Sequence, residues 1–378
     1  MSKFNVICLD DEETVSSLIK RLNNSTNRIH IDYKYPKPFP KQIEEIITWD
    51  RAHLLDGLVL DLRLDQTVAQ GQEQADYRAG SLAQEIRTLA TEGKLSAFPI
   101  FLWSIDKRLS KSFNKDMSSQ ELFDFTLLKE DFPEKASERA MQLAAIVQAY
   151  KDIGISIKKM KCFGDLLGLR EQDSGALDPR VGESFLRQPR SFPIHSYAKY
   201  VLDQVVLISG PLIDELTLCA RLGIDQEKSD DFHKLLEKLD AGCSYKGPFG
   251  DGWKRWWWPL VERWWERIQP NGKAMTSLAA PDRVDVLKAR LKLKRLSVAE
   301  AIGAEYGQFF STVCQVLKVP LDPMDGFVVA ATGRLPWHDK EYISREAALN
   351  RAKYNVHLEL DPFEKNRLES LKKHKVIK

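Results

Sequence analysis

The sequence predicts an α/β fold for residues 1–153, a doubly wound sheet of five parallel strands, followed by a mostly α-helical second domain. Short apolar runs alternate with segments of helical periodicity up to about residue 150, and helical periodicity dominates after residue 194. Apolar strands that alternate with helices form a parallel sheet covered on both faces. The length of 378 residues fits two domains.

Each element of the first domain follows from a local pattern. Val15, Leu18, Ile19 and Leu22 have helical spacing, for example, whereas residues 57–60 are a continuous apolar run. The predicted strands are residues 5–9, 28–35, 57–60, 98–103 and 125–128, and the predicted helices are residues 12–22, 41–49, 80–90 and 135–150.

Polar side chains follow four of the predicted strands at the points where the strands end. They are Asp10 with Asp11, then Asp61, Ser104 and Lys129. In a parallel sheet the carboxyl ends of the strands meet at one edge, where ligands bind. Three carboxylates there repel one another unless a cation lies between them, and oxygen ligands suit Mg²⁺. A hydroxyl and an ammonium can hold phosphoryl oxygens, so the set predicts phosphoryl transfer with a carboxylate as nucleophile.

Residues 4–153 resemble the receiver domain of two-component response regulators, which has a flavodoxin-like fold. The matching features, in the order and strand context of the family, are Asp10-Asp11, Asp61 in L-V-L-D-L, G-S-L-A-Q-E-I-R at 80–87, Ser104 and Lys129. The resemblance implies that Asp61 accepts a phosphoryl group from a histidine kinase. It also implies that Asp10, Asp11, Asp61 and the backbone carbonyl of Arg63 hold Mg²⁺. Ser104 would turn toward the phosphoryl group, and Lys129 would pair with it.

The sequence also departs from the family pattern. Ile105 follows the hydroxyl residue where the family has Ala or Gly, and Glu130 follows the lysine where the family has Pro. The position of the switch aromatic is Thr126, with Phe125 one place away, and residues 105–123 are a polar substitute for the fourth helix. We expect acceptor chemistry on a rebuilt switching surface. The alternative is a degenerate receiver that serves only as an interaction scaffold.

The rest of the chain is predicted to be an irregular linker, residues 154–193, and a mostly helical, Trp-rich output or interaction domain, residues 194–378. The expected helices lie at residues 196–222 (broken at Ser209-Gly210-Pro211), 232–239, 253–268, 281–293, 298–306, 308–319 and 362–375. Residues 253–268 hold six of the nine tryptophans at helical spacing. This spacing favours a protein core or a protein interface over a small-ligand site.

A basic run at residues 288–295 precedes residues 298–319, which faintly resemble a helix-turn-helix. Because leucines recur on one side of the run, a solvated helix face is favoured over a nucleic-acid surface. The net charge of +2, from 56 basic and 54 acidic residues, does not single out nucleic acid either.

Other protein classes lack their usual signatures. No run of 18 apolar residues predicts a membrane span, and five scattered cysteines are typical of reduced thiols in the cytoplasm. H-E-x-x-H, G-x-S-x-G and Walker patterns are missing, so we expect no enzyme beyond self-dephosphorylation. The alternative that the second domain is an enzyme controlled by phosphorylation stays open.

The sequence therefore predicts a cytoplasmic response regulator that signals through its helical domain to a protein partner. One alternative is a phosphate sink for a kinase whose effector is another protein, in a stress or defence circuit. A DNA-binding response regulator is the other.

Overall fold

The structure is a computed structural model, and it describes residues 3–66, 71, 73–105, 121–132, 134–187, 192–240, 242–269, 272–331 and 333–376. The chain divides into two compact units, each assembled from separate segments. Unit 1 comprises residues 1–171, 182–204 and 246–253, and unit 2 comprises residues 172–181, 205–245 and 254–378. The division therefore falls at different places from the predicted boundaries at residues 153 and 193.

Unit 1 contains the predicted five-stranded parallel sheet. Its strands are β1 (Phe4–Leu9), β2 (Ile29–Lys34), β3 (Gly57–Asp61), β4 (Ile100–Ser104) and β5 (Phe125–Leu128), in the order β2-β1-β3-β4-β5. Every residue of β3 and β4 is buried, as expected for central strands with helices on both faces. The doubly wound fold class is confirmed.

Helices cover both faces of this sheet, and further helices follow the last strand in the chain. The helices of unit 1 are α1 (Ser16–Ser25), α2 (Phe39–Arg51), α3 (Ala79–Thr91), α4 (Ala136–Ser156), α5 (Phe163–Leu166), α6 (Glu183–Arg187) and α7 (Ile194–Val201), and α7 runs into a π-helical turn, Leu202–Val206. Helix α4 packs against α1, β2, α5 and α7. The predicted substitute for the fourth helix, residues 105–123, lies mostly outside the described residues.

The stretch predicted as an irregular linker contains two short helices, α5 and α6, and a 3-10 turn at Glu171–Ala176. Two of its aromatic residues are buried: the rings of Phe163 and Phe185 lie 5.9 Å apart, and Tyr200 of the following helix contacts both. Gly182 has a φ of +72°, and a Cβ there would lie 2.1 Å from the ring of Phe163. This close packing explains why residues 182–204 belong to unit 1.

Unit 2 is substantially helical, as predicted, and also contains short antiparallel strand pairs. Its helices are α8 (Glu215–Leu222), α9 (Phe232–Asp240), α10 (Trp258–Ile268), α11 (Ala280–Leu291), α12 (Arg345–Leu349) and α13 (Pro362–Val376). Its paired strands are β6 (Leu212–Ile213) with β8 (Trp256–Trp257), β7 (Ile224–Asp225) with β9 (Ser297–Val298), β10 (Thr312–Val313) with β11 (Pro320–Leu321), and β12 (Gly326–Val328) with β13 (Tyr342–Ser344).

The prediction of two helices at residues 298–319 is wrong. This segment contains β9 and β10 but no helix, and β10 turns back to pair with β11. Lys318 adopts a φ of +54° in that turn, which a helix does not allow. The helix-turn-helix that the DNA-binding alternative needed is therefore not formed by these residues.

The prediction of one helix over residues 253–268 is only partly right. Trp256 and Trp257 form β8, and α10 begins at Trp258. Pro259 suits the first turn of a helix, where its missing N–H is not needed. Five of the six tryptophans are at most 9 % exposed, so they belong to protein cores and do not form a surface.

Among the described residues, no helix combines the length and apolar character needed to cross a bilayer. The five cysteines form no disulfide, and only Cys162 is exposed.

A buried ion pair ties α3 to the start of β5. Arg87 Nη2 donates to Asp124 Oδ2 at 2.7 Å, and the Tyr150 hydroxyl donates to Asp124 Oδ1 at 2.6 Å. The N–H of Ile100 also donates to Asp124, so the carboxylate is held from three elements.

We expect Asp124→Ala to lower the free energy of unfolding of unit 1 by about 3–5 kcal/mol, because Arg87 is left buried without its partner. Hydrogen exchange of the amides in β4 measures this loss. Asp251→Ala is the matched control, since it breaks an exposed Arg–Asp pair with Arg28 and should cost about 0–1 kcal/mol. Equal losses in the two variants would contradict the prediction.

Candidate functional site

The register of the sheet brings the predicted site residues to one edge. Leu9 of β1 is level with Leu60 of β3, so Asp10 and Asp61 leave their strands side by side. Ser104, the last residue of β4, is level with Leu128 of β5, and Lys129 follows directly. Adjacent parallel strands end at the same level, so site residues that are far apart in sequence become neighbours.

Lys129 connects the two central carboxylates of the site. Its Nζ lies 2.7 Å from Asp10 Oδ2 and 2.7 Å from Asp61 Oδ1. Asp10 is 0 % exposed and Asp61 is 1 % exposed, so one ammonium neutralises charge on two buried carboxylates. The two ion pairs are strong because little water screens them.

Backbone N–H groups hold the carboxylates in place. The donors to Asp10, Asp61 and Asp11 are the N–H groups of Glu12 (2.9 Å), Arg63 (2.8 Å) and Gln66 (2.9 Å). Each carboxylate therefore has at least one oxygen in a fixed position. The proposed role of the Arg63 carbonyl as a metal ligand stays a prediction.

The shared ammonium does not fully compensate Asp10. Burial, and after it the neighbouring Asp61, raise the pKa of Asp10 to about 6, although Lys129 acts in the opposite direction. Burial alone would lower the pKa of Lys129, but Asp61 and Asp10 outweigh it and raise that pKa. The site therefore has more negative charge than one lysine balances.

Ser104 supplies an unused hydroxyl at the same edge. Its side chain is 0 % exposed, and its Oγ makes no hydrogen bond to any described residue. A buried polar group without a partner costs about 1–3 kcal/mol, so such groups are uncommon in folded proteins. The hydroxyl is available to donate to a group that enters the site.

Two aromatic residues that sequence reasoning did not single out lie beside the lysine. Trp103 is level with Asp61 across the sheet and stacks on Phe132 at 5.7 Å, and Lys129 Nζ lies 5.9 Å from the centre of the Trp103 ring. The only sequence signal was that Trp103 comes directly before Ser104. The buried Trp103 ring therefore lies close to the ammonium, and Phe132 supports that ring.

The predicted switch region is held by a returning loop. Phe125 makes an edge-to-face contact with Trp253 at 5.6 Å, and the Arg139 guanidinium lies 5.8 Å from the Phe125 ring. Trp253 belongs to residues 246–253, which lie in unit 1 although they come late in the chain. Gly252 is required there, because a Cβ would lie 2.9 Å from that of Ala145. Phe125 and Trp253 are far apart in the sequence, so no local sequence pattern predicts their contact.

The ligand atoms and the net charge of the site both suit a divalent cation. Asp10, Asp11 and Asp61 carry three negative charges when ionised, and Lys129 carries one positive charge, which leaves two charges to be balanced. Carboxylate oxygens are the ligands that Mg²⁺ prefers. Among the described residues, however, no three acidic, His or Cys side chains are already arranged as a metal site. Mg²⁺ therefore stays a prediction.

Solved structures of receiver domains are similar to unit 1. The receiver domain of the putative response regulator NarL from Mycobacterium tuberculosis is 14% identical over 38% of this chain and 98% of its own, with a TM-score of 0.27. The REC domain of RcsB from Salmonella enterica serovar Typhimurium is 16% identical over 39% of this chain and 89% of its own, with a TM-score of 0.26. A promoter-bound RcsB is 17% identical over 53% of this chain and 89% of its own, also with a TM-score of 0.26.

No protein-family model matches the chain, and no curated protein matches it.

The raised pKa of Asp10 predicts a pH-dependent stability. The folded state holds a proton that the unfolded state releases between about pH 4 and pH 6, so unfolding becomes easier as pH rises through that window. We expect Asp10→Asn, which resembles the protonated form, to raise the free energy of unfolding at pH 7 by about 1–3 kcal/mol.

Urea denaturation of the wild type and of Asp10→Asn at pH 4 and pH 7 measures this difference, which should be small at pH 4. Asp32→Asn is the control, because its carboxylate is exposed beside Lys34. An Asp10→Asn protein that is less stable than the wild type at pH 7 would contradict the prediction.

Proposed function

We propose that this protein is a response-regulator-like phospho-acceptor in which Asp61 takes a phosphoryl group from a phosphohistidine of a histidine kinase. The observation that carries the proposal is the contact of Lys129 with both Asp10 and Asp61, with the unpaired Ser104 hydroxyl on the adjacent strand end. An acceptor carboxylate, a cation and a free hydroxyl donor are the groups that phosphoryl transfer needs.

The proposed step forms one bond and breaks one. An oxygen of Asp61 attacks phosphorus, the P–O bond forms, and the P–N bond of the phosphohistidine breaks with its electron pair going to the imidazole nitrogen. Lys129 is in place to neutralise charge on the phosphoryl oxygens, and Ser104 Oγ is free to donate a hydrogen bond to one of them. Both groups would stabilise the product as well.

Asp10, Asp11 and Asp61 would hold Mg²⁺, which when bound supplies charge that offsets the repulsion between the carboxylates and the incoming phosphoryl oxygens. In this proposal the hydrogen bond from Lys129 to Asp10 weakens, and Lys129 pairs with the phosphoryl group on Asp61. The closeness of Asp10 and Asp61, which share the single ammonium of Lys129, supports this part of the proposal.

The burial of Asp61 sets a condition on access. With 1 % of the residue exposed, a phosphodonor reaches its oxygens only after neighbouring side chains shift. Ile105, which is half-buried, is one of the departures from the family at this edge. We therefore expect acceptance from a small donor to be slow compared with transfer from a kinase that opens the site.

The output is proposed to be a protein partner of unit 2. Its tryptophans are mostly buried, so they would shape the unit and leave recognition to other residues. Phe363 and Met324 are large apolar side chains with 85 % and 79 % exposure, and such exposure favours protein contacts.

A phosphate sink is the second candidate function. It is favoured by the region around β5, where Thr126 replaces the switch aromatic and Phe125 is fixed between Trp253 and Arg139. If phosphorylation caused no conformational change in this region, the protein would remove phosphoryl groups from a kinase without transmitting a signal.

We expect the wild type, incubated with acetyl phosphate and Mg²⁺, to gain one phosphoryl group by intact-mass spectrometry, and Asp61→Asn to gain none. Ser104→Ala should slow the gain on the order of 10- to 100-fold, because it removes a hydrogen-bond donor to the phosphoryl oxygens. The same variant should keep or increase the free energy of unfolding, since the lost hydroxyl makes no hydrogen bond to a described residue.

Asp65→Asn is the matched control. Asp65 lies in the same loop but pairs with Arg63, so this variant should still accept the phosphoryl group. An adduct on Asp61→Asn, or none on the wild type with either acetyl phosphate or a phosphorylated histidine kinase, would sink the proposal.

Hydrogen exchange of the phosphorylated and unphosphorylated chain separates the two candidate functions. A signalling protein should show changed protection in peptides from residues 205–240 or 254–376, because phosphorylation then biases unit 2. A sink should show changes only around Asp61 and Lys129. Asp61→Asn treated with the same donor is the control and should show neither.

A further inference from the structure

Unit 2 contains a buried arginine without a carboxylate partner. Arg283 of α11 is 2 % exposed, and its guanidinium donates to three backbone carbonyls, those of Leu278 (2.8 Å), Arg221 (2.7 Å) and Phe310 (2.6 Å). It makes no ion pair among the described residues, and its Nη2 makes no hydrogen bond to them. A buried charge that is not paired is costly, so proteins usually supply a counter-charge.

Arg283 lines a cavity of about 430 Å³ that lies within unit 2. This volume is in the range that accommodates a small organic molecule. We call it the arginine cavity, and the residues used below are Arg221, Trp258, Arg283, Phe309, Lys340 and Tyr342. The buried arginine is therefore one of the residues around a space in which a ligand can lie.

Positive charge exceeds negative charge in the lining. Arg221, Arg283 and Lys340 line the arginine cavity, whereas Asp339 is its one acidic lining residue among the described residues. Asp339 is already paired, with its Oδ2 2.6 Å from Arg221 Nη2. Lys340 is exposed and makes no ion pair with a described residue. Two cationic groups thus remain for an anion.

The apolar part of the lining is aromatic. Trp258 is half-buried, with the Arg221 guanidinium 4.6 Å from its ring, and Tyr342 is also half-buried. Phe309 is 50 % exposed, although its neighbour Phe310 is buried. Aromatic side chains around a space with a few fixed polar groups are typical of small-molecule sites.

We propose that the arginine cavity binds a small organic anion, whose carboxylate or phosphate pairs with Arg283 and Lys340 and whose flat apolar body packs on Trp258, Phe309 and Tyr342. Arginine suits both headgroups, because its planar fork of donors matches either of them. This site is independent of Asp61 and of the proposed phospho-acceptor function.

The test uses benzoate, phenyl phosphate and neutral benzyl alcohol as probes of the full chain, with saturation-transfer NMR to detect binding and titration calorimetry to measure Kd. We expect at least one of the two anions to bind with saturation, and benzyl alcohol to bind at least about tenfold more weakly. Preference between benzoate and phenyl phosphate identifies the headgroup. Failure of both anions to bind, or equal binding of benzyl alcohol, would overturn the proposal and leave Arg283 as a structural tie.

Variants locate the site. Arg283→Gln should weaken the anion at least about tenfold, while Lys340→Ala and Phe309→Ser should each weaken it about threefold to tenfold. Lys234→Ala, an exposed lysine of α9 outside the lining, is the matched control and should bind as the wild type does. Arg283→Gln removes three hydrogen bonds of the guanidinium and can unfold unit 2. The variants at the exposed positions Lys340 and Phe309 therefore decide the result. Unchanged binding in both would place the anion elsewhere and overturn the proposal.

Discussion

The contact of one lysine with two buried carboxylates is the constraint on which unit 1 depends. Asp10 and Asp61 lie side by side because β1 and β3 are adjacent and parallel, so the fold itself forces like charges together. Without Lys129 at 2.7 Å from each, the two carboxylates would have to be protonated or rehydrated. The same interaction that permits folding also leaves the cluster short of positive charge. Stability and the proposed binding of a cation or a phosphoryl group thus depend on one arrangement.

That arrangement explains how much the sequence could predict. Strand ends in a parallel sheet meet at one edge, so the order Asp10, Asp61, Ser104, Lys129 was enough to place these residues together once the strands were recognised. The strands themselves were recognisable because central strands are continuously apolar, as in residues 57–60. The sequence could not predict that Ser104 Oγ lacks a partner or that Trp103 stacks on Phe132, since both depend on side-chain packing between elements.

Unit 2 shows where local patterns are insufficient. Apolar residues at 298–319 have a spacing that suits a helix, yet Phe310 packs with Ala280 and Ala299, and β10 pairs with β11. Long-range pairing outweighed a weak local preference, as it does where no strong cap fixes a helix. By contrast, α8 was predictable: Asp214 accepts from the N–H of Thr217 at its start, and Gly223 ends it with a φ of +77°. The return of residues 246–253 to unit 1 had no local signal of any kind.

The two units handle buried charge in opposite ways, and this difference bears on function. In unit 1 a lysine is shared by two carboxylates, so negative charge is in excess, and the proposed ligand is a cation together with a phosphoryl group. In unit 2 the hydrogen-bond partners of Arg283 among the described residues are backbone carbonyls, and basic side chains outnumber acidic ones around a cavity lined by aromatic rings. Carbonyl dipoles stabilise a guanidinium but do not neutralise it, so an anion gains more from Arg283 than from an arginine already paired with a carboxylate. An excess of buried charge that the fold maintains is therefore the physical feature on which the proposed binding site in each unit is based.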